Sequence, residues 1–332
     1  MRNSISDLAG RAREEYSEEG LASLITSGVR FVGESVSPYH DRGYTKEYGE
    51  NVFPYPAPET TVQLHASGLG DLMIVRQFGR AIQDYYREFG DPELGDVVVA
   101  TGGQEPAFDP DSGDVNLYWW WSFGRLDDEP DQYLNHYLKE TAVEPDAILC
   151  PSERCVREAE QLGYDTLFLP LGTYAFEPLG FERSGLGYAG TKNHKQSEKE
   201  VRVLGPFGDD EDFEWVSHFV FPEQLNQWYN KKLVTFGLHK EGQRQWGMVN
   251  NRVFETLASG TPFVLEAHPV VDDILGFDFP YQTDSRDKTV ELVNEIRNSP
   301  RDTVAEFQKY SEHVRENHSY NDRVTKLFEF LS

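Results

Sequence analysis

Three groups of residues have types and spacings that could do chemistry. Asp127 and Asp128 lie in GRLDDEP, the segment that follows directly on an apolar aromatic run, Asn116 to Phe123 (NLYWWWSF). A carboxylate at the carboxyl end of a buried strand is placed to take a proton from a hydroxyl. An acidic helix start, favoured by the helix dipole, accounts for the same pair without chemistry. His65, in the small-residue turn HASGLGD, is the histidine whose neighbourhood suggests a base, with a surface histidine as the plain alternative. The second group is basic. Lys192, His194, Lys195 and Lys199 lie within eight residues of an otherwise acidic chain. That local inversion has a physical reason if phosphates bind there, and a solvated turn is the alternative. The third group is the polar loop Lys240 to Asn251, which carries Arg244 and leads into Asn250, Asn251 and Arg252 at a helix start. Free backbone N–H groups at such a start suit an anion.

These groups need elements to hold them. Leu233 to Pro269 reads as strand (LVTFGL), loop, helix from about Arg252 to Ser259 and strand (FVLEA), with Asn250 or Asn251 as N-cap and Gly260 as stop. This is one unit of a parallel α/β sheet, in which ligands sit at the carboxyl ends of the strands. Asp146 to Tyr174 repeats the pattern: strand AILC, helix capped by Ser152, Gly163 stop, strand TLFLP. Asp96 to Thr101 is a buried strand, and LGYAG from Leu186 opens another. Val201 to Gly205 reads as a strand, Leu72 to Phe89 as a helix, and residues 46 to 63, rich in Pro and Tyr, as an extended loop. Three adjacent tryptophans cannot all face one core, because strand side chains alternate. At least one should line a cleft, where it could hold an acceptor sugar, or cover a neighbouring element. Helices are expected at Lys288 to Asn298, Asp302 to Asn317 and Asn321 to Leu331.

NNRVFETLASGTPFVL resembles the donor-site helix of glycosyltransferases with the GT-B fold, in particular family 4 and spore maturation protein-like enzymes. The resemblance implies that Glu255 binds the ribose hydroxyls of a nucleotide-sugar. It also implies that Gly190, Thr191, Lys192 and Lys195, in LGYAGTKNHK, contact the donor diphosphate, with Arg244 or Arg252 adding charge. His239, Asn250 and Asn251 complete the expected donor site. Family 4 enzymes place a second glutamate eight residues before the first; that position here is Gly247. W-x-F-x-x-x-D-D, which ends on Asp127 and Asp128, resembles the tryptophan-then-aspartate segment of the spore maturation protein-like group. His318 and Arg323 match an H-S-Y-x-x-R pattern that opens a closing helix. The implied fold is α/β with GT-B architecture, two Rossmann-like domains facing a cleft and a C-terminal helix crossing back. The implied boundaries are an arm over 1–45, an acceptor domain over 46–175, a donor domain over 176–316 and the return helix over 317–332. The implied activity is metal-independent transfer of a sugar to a hydroxyl of a glycan, lipid-linked or protein acceptor, with the nucleotide-sugar as donor substrate and no cofactor. A nucleotide-sugar 2-epimerase and a non-catalytic glycan- or partner-binding protein on the same scaffold are the alternatives.

The chain of 332 residues carries 57 acidic against 31 basic residues, a net charge of −26. Arginine outnumbers lysine, 20 to 11. Self-repulsion of this size destabilises a compact state at low salt, whereas the Debye length falls to about 3 Å at 1 M. A halophilic source is therefore expected, with an acidic mesophilic protein as the alternative. The same charge argues against sequence-independent nucleic-acid binding, which needs a basic face. No apolar run is long enough to span a bilayer, and no secretory leader is visible. Cys150 and Cys155 make neither a disulfide framework nor a zinc site. A cytoplasmic protein is expected. The amphipathic stretch Ala12 to Phe31 reads as a helix packed on the protein's own surface, with peripheral contact with the inner face of the membrane as the alternative.

Overall fold

The computed structural model describes residues 52–66, 69–102, 113–121, 134, 138, 144–190, 198–216 and 221–332, without the side chains of 69, 70, 198, 199 and 201. The chain clusters into two units, Met1–Val52 and Phe53–Ser332. The second unit carries the two sheets of the fold. The expected N-terminal arm lies outside the described residues.

The first half of that unit holds a six-stranded sheet in the order β1-β2-β3-β4-β5-β6. Its strands are β1 (Val52–Pro56), β2 (Thr60–His65), β3 (Gly95–Gly102), β4 (Val115–Trp120), β5 (Ala147–Cys150) and β6 (Asp165–Phe168). From β2 to β6 every neighbouring pair is parallel. Residues 46 to 63, expected to be a loop, instead supply β1 and most of β2. Three residues join these strands, too few for a parallel crossover, so the pair is a hairpin. The period-two signal is present but disguised. Phe53 and Tyr55 are buried, while Pro54 and Pro56 occupy the exposed positions of an edge strand, where a missing N–H costs no ladder bond. Helix α1 (Leu69–Phe89) follows β2, and α2 (Glu153–Gln161) follows β5. Ser152 caps α2 by accepting the Cys155 N–H, as its place before the helix predicts.

The second half holds a five-stranded parallel sheet in the order β11-β10-β9-β7-β8. It contains β7 (Ser184–Ala189), α3 (Glu198–Val203), a short 3-10 turn (Gly205–Phe207), β8 (Phe213–Val216), α4 (Pro222–Lys231), β9 (Lys232–Gly237), α5 (Glu241–Gln245), α6 (Asn251–Ala258), β10 (Phe263–Glu266), α7 (Val271–Leu275), β11 (Gln282–Thr283), α8 (Arg286–Asn298) and α9 (Pro300–Asn317). Here the strand order reverses: β8 lies on one side of β7 and β9 on the other. One expectation fails. Val201 to Gly205 is not a strand, because α3 and the 3-10 turn occupy it. The buried residues Glu200, Val203, Leu204 and Phe207 follow helical spacing, and a short apolar run hides that period.

The last helix, α10 (Tyr320–Leu331), packs against α1 of the first half. Tyr320 meets Phe78 edge-on with centroids 5.8 Å apart, and Phe328 meets Tyr85 at 4.6 Å. Tyr320, Val324, Leu327 and Phe328 are all buried, each contributing about 1.5–3 kcal/mol relative to exposure. The start of α10 is sewn to the segment after β6. Thr173 N–H donates to His318 O (3.1 Å) and Tyr320 N–H to Thr173 O (2.8 Å). Gly172 makes this approach possible, since a side-chain carbon there would lie 2.6 Å from the His318 carbonyl oxygen. Arg323, almost fully buried, donates to Pro170 O (3.0 Å) and to His318 Nδ1 (3.2 Å). An arginine only donates, so His318 Nδ1 accepts and its Nε2–H faces Leu275 O at 3.2 Å. Burial, and then the Arg323 charge, push the His318 pKa down to about 4.

Candidate functional site

In an open parallel sheet, ligands sit at the carboxyl ends of the strands where the order reverses. In the second half that point lies between β7 and β9. β7 ends at Ala189 and passes to Gly190. β9 ends at Gly237 and passes to Leu238 and His239. Gly190 N–H donates to Val216 O (2.9 Å), and its carbonyl accepts from Trp215 Nε1 (2.9 Å). A side-chain carbon at Gly190 would fall 2.6 Å from the Tyr188 hydroxyl, so the turn closes over that ring only because the residue is glycine.

Helix α6 starts at this crevice. Asn250 is its N-cap but makes no capping bond. Its amide turns away and donates to Leu238 O (3.1 Å), which ties the helix start to the end of β9. Arg252, one residue into the helix, donates to the same carbonyl at 3.3 Å and lies over the Tyr188 ring, 5.3 Å from its centroid. Tyr188 in turn meets Trp215 edge-on at 5.1 Å. The guanidinium thus rests on an aromatic platform at the end of β7. Among the described residues no carboxylate lies within ion-pair distance of it.

Arg244, on α5, is in the opposite situation. It donates to Glu266 Oε1 at 2.8 Å and lies 3.5 Å from Asp284. Glu266 is wholly buried at the end of β10 and also accepts the His239 N–H at 3.1 Å. One carboxylate therefore shapes the loop after β9 through two partners. The rings of His239 and His268, both buried, lie 4.3 Å apart behind it. Glu266 and His268 belong to this cluster although the sequence does not single them out; their position just beyond a predicted strand end is the signal that could have found them.

Glu255, one turn after Arg252, is 2% exposed. Its Oε1 accepts from Asn251 Nδ2 (2.9 Å) on its own helix and from Gln77 Nε2 (3.0 Å) on α1 of the first half. Burial pushes its pKa up, against the lowering by those two amides and by Arg252.

The first half presents aromatic groups at the carboxyl ends of its strands. Trp119, Trp120 and Trp121 are all buried and alternate as a strand requires. Trp119 packs on Phe78 (4.7 Å) and donates to Leu169 O (3.0 Å). Trp121 donates to Asp71 Oδ1 (2.8 Å). Trp120 covers a neighbouring element, as alternation demanded. It meets Trp246 of the second half edge-on at 4.9 Å, and Arg154 stacks on Trp246 at 4.8 Å. Both sheets therefore turn the carboxyl ends of their strands toward one interface. His65 ends β2 there, in register with Ala100, and its carbonyl accepts from Thr101 Oγ1. The remaining sites expected from sequence, Asp127, Asp128, Thr191, Lys192 and Lys195, lie outside the described residues. The structure thus brings Gly190, His239, Asn250, Asn251, Arg252 and Glu255 to one end of the second sheet, with Arg244 beside them but already paired. Among the described residues there is no group of three or more His, Cys, Asp or Glu side chains arranged to hold a metal ion.

Two sheets, parallel but for the edge strand β1, meeting at their strand ends, with a last helix returning to the first, define the GT-B fold. A family model described as "Glycosyl transferase-like" matches residues 191–329, somewhat under half of the chain. Among solved structures, the chain resembles TarM with a TM-score of 0.50 at 10% identity, covering 77% of this chain and 58% of that one. It therefore spans less than two thirds of TarM's length. A TarM variant from S. aureus, solved with fondaparinux, α-GlcNAc-glycerol and UDP, gives 0.49 at 9% identity, covering 77% of this chain and 59% of that one. A T4 phage BGT variant in complex with UDP-glucose gives 0.45 at 12% identity, covering 70% of this chain and 81% of that one. No curated protein matches the sequence. No described helix is long and apolar enough to cross a membrane.

Proposed function

We propose that the protein transfers a glycosyl group from a nucleotide-sugar to a hydroxyl of a glycan, lipid-linked or protein acceptor. The observation that supports this best is the pairing, on one turn of α6, of an arginine with no carboxylate partner among the described residues and a buried carboxylate, at the strand reversal of a GT-B fold. In this reading Arg252 and the N–H groups at the start of α6 meet the diphosphate, and Glu255 accepts from the ribose hydroxyls. The bond from the anomeric carbon to the phosphate oxygen breaks, and its electron pair leaves with the diphosphate. The acceptor oxygen forms the new bond, and its proton passes to Asp127, Asp128 or His65 if the configuration inverts, or to the departing phosphate if it is retained. Positive charge held where negative charge grows is the main catalytic contribution. Thr191, Lys192, Lys195, Gly190 and His239 belong to the same proposed donor site. Arg244 serves it indirectly, by shaping the loop.

The experiment is calorimetry with UDP, GDP and ADP, followed by an assay for nucleotide release from the matching sugar donors. Binding of none of them would overturn the proposal. The reading also holds the reaction to be metal-independent, so added EDTA should leave the rate unchanged. One observation favours a second reading, a non-catalytic binding protein: Gly247 stands where family 4 has its upstream glutamate. Nucleotide binding without turnover of any donor would support that reading. The acidic composition further suggests a high-salt setting. Unfolding midpoints in KCl should rise steadily from low to molar salt, and equal midpoints would remove that suggestion.

A further inference from the structure

Glu255 is the most costly group at the site. A carboxylate this deeply buried is normally paired with a cation. Here no cationic side chain among the described residues lies within ion-pair distance, and both hydrogen bonds come from neutral amides. Both go to the same oxygen, Oε1. Among the described residues Oε2 accepts nothing. One amide, Asn251, comes from the preceding turn of the same helix and would be there in any arrangement of the halves. The other does not. Gln77 belongs to α1, 178 residues earlier in the chain.

Gln77 is itself held from the other side. Its Oε1 accepts the Tyr174 N–H at 3.0 Å, in the segment that joins the two halves. Tyr174 also donates through its hydroxyl to Asp84 (2.5 Å), two helical turns further along the same face of α1. The same stripe of α1 carries Arg80, paired with Glu223 on α4, and Arg76, whose guanidinium lies 5.3 Å from the Phe221 ring centroid. Positions 76, 77, 80 and 84 recur at helical spacing, so α1 turns one polar face to the second half and to the joining segment. The Gln77 amide is therefore fixed at both ends, with its orientation set by a backbone N–H that only donates.

We propose that Gln77 is a positioning residue for the donor site. It clamps Oε1 of Glu255 so that Oε2 is presented, charged and oriented, to a vicinal diol of a bound nucleoside. This rests on the reading of Glu255 as a ribose ligand. It adds that the ribose site is complete only when the first half is docked on the second, because the clamp crosses between them. Nucleotide recognition and closure of the halves then become a single event. Without the clamp, Glu255 is free to protonate or turn, and hydroxyl recognition fails before phosphate binding does.

The test compares the nucleoside diphosphate that binds best among UDP, GDP and ADP with its 2′-deoxy analogue, by calorimetry on the full-length protein. Wild type should bind the 2′-deoxy form at least about tenfold more weakly, since a hydrogen bond to a charged group is lost. Gln77→Leu should weaken the ribonucleotide by about tenfold and leave the deoxy form nearly unchanged, so that the discrimination collapses. Gln77→Asn, with its shorter reach, should restore little, whereas Gln77→His, a donor of similar reach, should restore part of it. Arg80→Ala removes a neighbouring link between the halves without touching Glu255, so the discrimination should survive in that variant. Should Gln77→Leu weaken both nucleotides equally, or Arg80→Ala abolish discrimination as well, Gln77 would be a structural contact only. Failure of wild type to bind any nucleoside diphosphate would instead remove the underlying reading. Far-UV circular dichroism and the unfolding midpoint show that each variant is folded.

Discussion

The two sheets of this protein are built from the same kind of unit but end differently. In the first, strands β1 to β6 lie in the order of the sequence, and no reversal opens a crevice. Its strand ends are closed by tryptophans that pack on α1, on Asp71 and on Trp246. In the second, the order turns back at β7, and polar and charged side chains collect there: Asn250, Arg252, Glu255, His239 and Glu266. The difference teaches where binding energy can be stored. A parallel sheet that reverses leaves two adjacent loops diverging from each other, with a helix start aimed between them. A sheet that does not reverse offers a wall. The first half supplies that wall and, through Gln77, one clamp.

The largest test of the contrast is Arg244→Ala. It strips one charge from a carboxylate that is fully buried, so it should destabilise the fold by about 3 kcal/mol in urea titrations. An effect on nucleotide binding with unchanged stability would mean that Arg244 faces the ligand after all. Of similar size is the pH response of the return helix. His318 is held neutral, with its pKa depressed to about 4 from an ordinary value of 6.5. The unfolded chain therefore takes up the proton first. Stability from this group is complete above pH 6.5 and is lost as pH falls through 4, on the order of 3 kcal/mol over that window. Replacing His318 by Gln should flatten this part of the stability profile relative to wild type. A parallel profile in the variant would show that the histidine is not responsible.

Arg252→Ala comes next. The guanidinium has no carboxylate partner among the described residues, so its loss should cost the fold little and cost nucleotide affinity about 2 kcal/mol. Calorimetry and urea titration on the same sample separate the two effects. A loss of stability without a loss of affinity would reverse the assignment of the two arginines. The smallest effect expected is from Glu255→Gln. Burial raises the pKa of Glu255, so the protonated form is favoured by folding. Stability from that term is present at low pH and declines as pH rises above the ordinary carboxylate value. At neutral pH the neutral glutamine should therefore stabilise the ligand-free protein slightly while weakening nucleotide binding. A variant that is both less stable and unchanged in affinity would make Glu255 a structural residue.

Much of both sheets was legible in advance because their signals are local. Asn250 before NRVFETLA and Gly260 after it mark α6 to within a residue. AILC with Ser152 marks β5 and the cap of α2. The hairpin of β1 and β2 was missed because prolines at exposed edge positions imitate a loop. The helix α3 was missed because four buried residues at helical spacing, interrupted by Gly and Pro, imitate a strand. At the site, residue types were readable and their partners were not. Arg244 and Arg252 stand eight residues apart in one loop-and-helix unit and look equivalent in the sequence. Only the carboxylates of Glu266 and Asp284, brought in by other strands, distinguish them.

The sequence by itself therefore determined most of the α/β units, the cap of α2, the acidic composition and the chemical types gathered near α6. Those come from propensity, periodicity and composition, which act over a few residues. Tertiary structure alone decided where the strand order reverses, which arginine keeps its charge without a carboxylate partner, and that Glu255 is held by Gln77 across the two halves. The physical reason is that burial, pairing and desolvation set what a charged group can do. Each of these depends on neighbours that the chain brings from far away.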